Sequence, residues 1–172
     1  MGIPLYFKTI TDEYDDIIID TKKIPEVKRL FLDLNCAIHP CCRRIISEGY
    51  NSLKKNSYEN RMLTEIVTYI KLLFDTVKPT ELLYIAIDGV APMAKMAQQR
   101  LRRYKTVKER NIKNDIKKSH NEDYDKDFWD TNAITPGTAF INKISNKIKD
   151  EINKNEYKGV NIIFSDSSVV GE

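Results

Sequence analysis

The chain has 172 residues, 41% of them hydrophobic and 31% charged, with only six glycines and six prolines; this fits one globular unit and excludes collagen-like, low-complexity and wholly disordered chains. No apolar run approaches the ~18 residues that span a membrane, so the expected setting is soluble and intracellular, cytosol or nucleus. The net charge of +3 hides a division: residues 93–118 hold ten Lys/Arg against Glu109 and Asp115, or +8, leaving −5 for the rest, the pattern of a body that holds a polyanion at one place.

At the amino terminus Gly2 invites a lipid reading, but the acylation motif wants Ser or Thr at position 6, where Tyr6 stands. Residues Arg29 to Leu34 (RLFLDL) form a first apolar run of strand length. Cys36, Cys41 and Cys42 crowd into seven residues; reduced, buried thiols suit them better than a disulfide framework, and with His39 they lack the four-ligand spacing of structural zinc. Leu63, Ile66, Val67, Ile70, Leu73, Phe74 and Val77 recur at three- and four-residue spacing, which predicts an amphipathic helix ending before Pro79.

A second strand follows at Leu82 to Ile87 (LLYIAI), then the basic run from Met93. Beyond about Lys105 that run reads as loop or groove wall, and the acidic, unpatterned stretch 119–130 extends it into a mobile basic and acidic loop over 105–130. Thr135 and Pro136 offer an N-cap and N1 for a helix whose stripe is Ile141, Ile144, Ile148 and Ile152, and Val160 to Ser165 (VNIIFS) is a third strand. Strands alternating with helices predict a single α/β domain over 1–172, a three-layer fold with a largely parallel central sheet and helices on both faces. Ligands of such sheets gather at the carboxyl ends of the strands.

Chemistry is expected there. Asp33 lies near the end of the first run and Asp88 directly follows the second. Neighbouring parallel strands are about 4.8 Å apart, so two carboxylates at matching ends repel unless a cation or proton lies between them. Magnesium, which takes oxygen ligands and keeps its waters, suits the pair, with manganese as its substitute; the plainer reading is that each aspartate caps the next turn. In the basic run Lys95, Gln99, Arg102 and Arg103 span a helical arc of about 100°, with Met93, Ala97, Leu101 and Tyr104 on the opposite side. The apolar side is expected to pack and the polar side to present donors to a phosphate near Asp88; a solvated charged helix is the alternative.

Taken together, Met1-Gly2-Ile3-Pro4, Leu32-Asp33-Leu34-Asn35 with His39, Ile87-Asp88-Gly89-Val90-Ala91-Pro92 through Arg103, Asp130-Thr131-Asn132, Ile134-Thr135-Pro136-Gly137-Thr138 and Gly171-Glu172 resemble the XRN family of 5′-to-3′ exoribonucleases, within the flap-nuclease and PIN-like folds. The resemblance spans the whole chain as the amino-terminal part of that family's catalytic region, a fold incomplete at the carboxyl end. It implies magnesium-dependent, two-metal hydrolysis of single-stranded RNA from a 5′-monophosphate end, with Asp33, Asp88 and Glu172 as metal ligands. It also implies a 5′-phosphate pocket of Lys95, Gln99, Arg102 and Arg103, with Asn35 and His39 on the substrate; His39 would stack near the first base, and on chemistry alone it is equally a satisfied histidine at a helix start.

There are departures. Met93 stands where the family usually has a basic residue, and Ser168 and Val170 replace its usual Glu and Pro. Further acidic ligands of the family lie beyond Glu172, so a fragment that binds metal weakly and turns over little RNA is the expectation. Two other classes compete: a non-catalytic nucleic-acid-binding module and a flap-type endonuclease on the same scaffold. The abundance of Lys, Asn and Ile fits an AT-rich genome, a viral one included.

Overall fold

The computed structural model describes residues 5–122, 128–154, 157 and 159–169. The chain forms helices α1 (Tyr6–Glu13), α2 (Asn35–Ser47), α3 (Lys55–Val77), α4 (Met93–Ser119) and α5 (Ala139–Asn153) and strands β1 (Arg29–Asp33), β2 (Leu82–Ala86) and β3 (Asn161–Ser165). The strands form one parallel sheet in the order β1-β2-β3. Its register aligns Asp33 with Ala86 and Ala86 with Ser165, so the three carboxyl ends are level. Two further bonds, Leu34 N–H to Ala86 O at 2.9 Å and Ile87 N–H to Ser165 O at 3.0 Å, carry the ladder one residue past that edge.

Strand alternation sorts the side chains. Leu83, Ile85 and Ile87, with Leu30, Leu32, Ile162 and Phe164, face a core closed by Ile38 and Cys42 of α2, Met62, Ile66 and Ile70 of α3, and Ile141, Ile144 and Ile148 of α5. Each such aliphatic side chain contributes about 1.5–3 kcal/mol on burial. On the other face Phe31 is 64% and Ile163 43% exposed, and the Phe31 and Tyr84 rings meet at 5.8 Å across the strands. The parallel α/β architecture is as expected; of its two helical layers, the described residues supply one.

Helix ends follow local chemistry. Lys78 adopts a left-handed conformation (φ 51°), donates to Phe74 O at 2.7 Å and is followed by Pro79, which stops α3 where its periodicity ends. The start of α5 departs from expectation. Gly137 at φ 84° breaks any helix begun at Thr135, so Thr138 becomes the N-cap, its hydroxyl accepting from Ile141 N–H at 3.3 Å. The loop expected from Lys105 onward is instead helix to Ser119, because no Gly or Pro interrupts 93–119 and pairs such as Lys105–Glu109 support the turns. Residues 123–127 of that stretch lie outside the described residues. Among the described residues no helix is long and apolar enough to cross a membrane.

Candidate functional site

Asp33 ends β1 and Asp88 lies two residues past Ala86, the partner of Asp33 in the ladder. Residues 86 and 88 share parity along an extended chain, so both carboxylates belong to the same side of the sheet edge. Asp33 is exposed and Asp88 half-buried. Asp33 also caps the turn into α2: its Oδ1 accepts from Asn35 N–H at 3.2 Å, and its Oδ2 lies 3.8 Å from Cys36 Sγ. The second oxygen thus shares its field with the thiol. Cys36, expected to be buried, is exposed, while Cys41 and Cys42 are buried. Asp33, then burial and Asp88 together push the Cys36 thiol above its ordinary range, which keeps it protonated and rules out a resting thiolate.

One turn along α2, His39 feels the opposite sign. Burial first, then the guanidinium groups of Arg43 and Arg102, push its pKa below the ordinary imidazole value. Asn35, half-buried at the start of α2, has a buried Oδ1 with no hydrogen-bond donor among the described residues.

On α4 the apolar and polar sides are reversed relative to expectation. Met93 is 82%, Leu101 72% and Tyr104 70% exposed, whereas Lys95, Gln99 and Arg103 are half-buried and Arg102 is exposed. No side chain of α4 is buried. The spacing of a helix defines the angle between its two faces but not which face docks. Lys95, Gln99 and Arg102 line one cavity of about 500 Å³ together with Gln98, Leu101 and Lys105. Arg103 does not line it; its guanidinium donates to Gln99 Oε1 at 3.5 Å and thereby turns the amide. Three of the four expected donors meet in one cavity, and the fourth supports one of them.

The third strand carries an acid that sequence reasoning passed over. Asp166 directly follows Ser165, one residue past the level of Asp33 and one short of Asp88, and an acid just after a third apolar run was its signal. It is spent structurally. Lys149 of α5 pairs with its Oδ2, and Ser168 N–H donates to Oδ1 at 2.9 Å, holding its carboxyl down at about 2. Glu172 lies outside the described residues. Among the described residues no group of three His, Cys, Asp or Glu side chains is gathered for a metal. The oxygen donors at hand are the Asp33 and Asp88 carboxylates, hard ligands of the kind Mg²⁺ accepts in ones and twos beside its waters.

A sequence profile described as "XRN 5'-3' exonuclease N-terminus" matches residues 1–172. The chain is 35% identical over 179 residues to 5′-3′ exoribonuclease 1 of Schizosaccharomyces pombe, covering 100% of this chain and 13% of that protein. It is 38% identical over 181 residues to 5′-3′ exoribonuclease 1 of Saccharomyces cerevisiae, covering 100% of this chain and 12% of that protein. Against the Homo sapiens 5′-3′ exoribonuclease 1 it is 33% identical, over 100% of this chain and 10% of that protein. The chain spans between 10% and 13% of the length of these relatives. A parallel sheet edge bearing two carboxylates, a basic helix beside it and this match over every residue agree with one another: the chain belongs to the XRN 5′–3′ exonuclease family, at its N-terminus.

Proposed function

We propose that the chain supplies the 5′-end recognition and part of the metal site of a 5′-to-3′ exoribonuclease acting on single-stranded RNA with a 5′-monophosphate. The observation that carries this reading is the start of α4: the helix begins at Met93, five residues after Asp88 at the carboxyl edge of the sheet, and Lys95, Gln99 and Arg102 of its first turns line one cavity. Carboxylates suited to divalent cations are therefore followed, within a few residues of chain, by cations suited to a phosphate.

In this reading Lys95, Gln99 and Arg102 hold and orient the terminal phosphate, while neutral His39 offers a ring to the first base. Asp33 and Asp88, with Glu172, would hold Mg²⁺ or Mn²⁺; such ions, when bound, activate the attacking water and stabilise the departing 3′ oxygen. A triphosphate adds negative charge that the few cations lining the cavity, Lys95, Arg102 and Lys105, leave less well compensated, so it is disfavoured by charge. Thiols that are free throughout suit a reducing compartment, cytosol or nucleus.

The test is end-dependent binding. With 3′-labelled single-stranded RNAs identical except at the 5′ end, the monophosphate binds this chain about tenfold or more tightly than the hydroxyl or triphosphate forms. Equal affinities for the three ends contradict the reading. In the longer polypeptide, Mg²⁺-dependent release of nucleotides is abolished by Asp88→Ala; binding without cleavage there favours a non-catalytic module, and preference for branched DNA favours a flap endonuclease.

A further inference from the structure

Helix α4 is held against its own amphipathicity. Its apolar residues Met93, Leu101 and Tyr104 face solvent, while the half-buried positions include Gln99, Arg103 and Arg110. At about 100° per residue, Arg110 lies within about 20° of both Gln99 and Arg103, so the three residues form one line along the helix. Little in α4 itself favours this rotation: the residues on that line are polar and none is fully buried, so the helix gains little hydrophobic energy from presenting it to the body.

A specific contact fixes it. The Arg110 guanidinium carbon sits 3.7 Å from the centroid of the Phe128 ring. Phe128 precedes Trp129, which is 4% exposed, stacks edge-on against Phe140 of α5 at 4.8 Å and donates its indole N–H to Glu59 of α3 at 3.5 Å. Phe128 is thus mounted on the core, and Arg110 ties the middle of α4 to it. Arg110 Nε is itself buried with no acceptor among the described residues, so the stack against the ring is what occupies this side of the guanidinium.

We propose that Arg110 and Phe128 are positioning residues for the 5′-phosphate cavity: their stack sets the rotation of α4 and thereby turns Gln99 and Arg103 inward about 10–17 Å up the helix. The proposal rests on the 5′-end reading given above. It predicts that the contact acts on discrimination between ends and not on general affinity for RNA.

The test compares 5′-monophosphate and 5′-hydroxyl RNA binding for the wild-type chain, Arg110→Ala, Phe128→Leu and the double variant. Each single change is expected to shrink the phosphate preference by about three- to tenfold, and the double variant by no more than either alone. Phe128→Leu leaves every charge in place, so its loss of preference cannot be a charge effect. Retention of the wild-type preference by Phe128→Leu, or an equal loss for both ends in Arg110→Ala with Phe128→Leu unaffected, overturns the proposal. If Arg110→Ala melts α4 by circular dichroism, Phe128→Leu, which leaves that helix's sequence intact, decides alone. A wild-type chain indifferent to the 5′ end overturns the functional reading itself and this inference with it, whereas a discriminating wild type with equally discriminating variants overturns the inference only.

Discussion

Gln99 is half-buried, and Leu101, two residues later on the same helix, is 72% exposed. The inversion makes a stability prediction. Leu101→Ser should change the free energy of unfolding by no more than about 0.5 kcal/mol, as surface changes do, while Ile85→Ala, at a fully buried position of β2, should cost about 2–5 kcal/mol. Urea unfolding of both variants checks it. A loss above about 2 kcal/mol for Leu101→Ser would show that this face is packed.

The same helix shows how far the sequence could be read. The three apolar runs are the strands to within a residue at each end, because each run is short, apolar, rich in Leu, Ile and aromatic residues and bounded by polar residues. The α3 stripe likewise marks a helix against the core. The four donors of α4 fall on one arc by spacing alone, yet the direction of that arc depends on where Phe128 meets Arg110, a contact across 18 positions that leaves no periodic trace. Asp166 was hidden for a different reason: its chemistry is cancelled by Lys149, a partner on another element. The buried Glu59, reached by Lys143 at 2.7 Å and by Lys55 at 3.8 Å, is legible only in three dimensions as well.

Removing Arg102 should leave two signatures. Arg102 is one of the groups that depress the His39 pKa, so Arg102→Ala should raise it toward 6.5. A base depressed in the folded state is protonated more readily when unfolded; its stabilisation is complete above the unfolded pKa and is lost as pH falls through the window below 6.5. In the variant that window should narrow. Imidazole proton resonances report it directly, since the chain has only two histidines, His39 and His120. The same variant should bind 5′-monophosphate RNA about tenfold more weakly, with the salt slope reduced by about 0.7. An unmoved His39 titration would separate Arg102 from α2.

Acid should act through Glu151. Lys154, Lys147 and then Lys71 lower its carboxyl from 4.5 to about 2. A depressed carboxylate stabilises above its unfolded pKa and loses that contribution as pH falls from about 4.5 toward 2. Thermal midpoints of the wild type should therefore drop through that window, and Glu151→Gln should start lower at neutral pH and fall less steeply. Asp166, held near 2 by Lys149, contributes a parallel slope, so the double variant Glu151→Gln/Asp166→Asn should be the flattest. Identical slopes in wild type and double variant would refute the assignment.

The account stands on the closeness of a divalent-ion site at Asp33 and Asp88 to the cavity lined by Lys95, Gln99 and Arg102. Phosphorus relaxation of a 5′-monophosphorylated RNA bound to this chain, measured with Mn²⁺ as the paramagnetic probe, tests that closeness most directly. The terminal phosphate resonance should broaden strongly in the wild type and sharpen on Asp33→Asn/Asp88→Asn at unchanged RNA occupancy. A terminal phosphate that stays bound while Mn²⁺ broadens it equally in wild type and double variant, or not at all, would contradict the account.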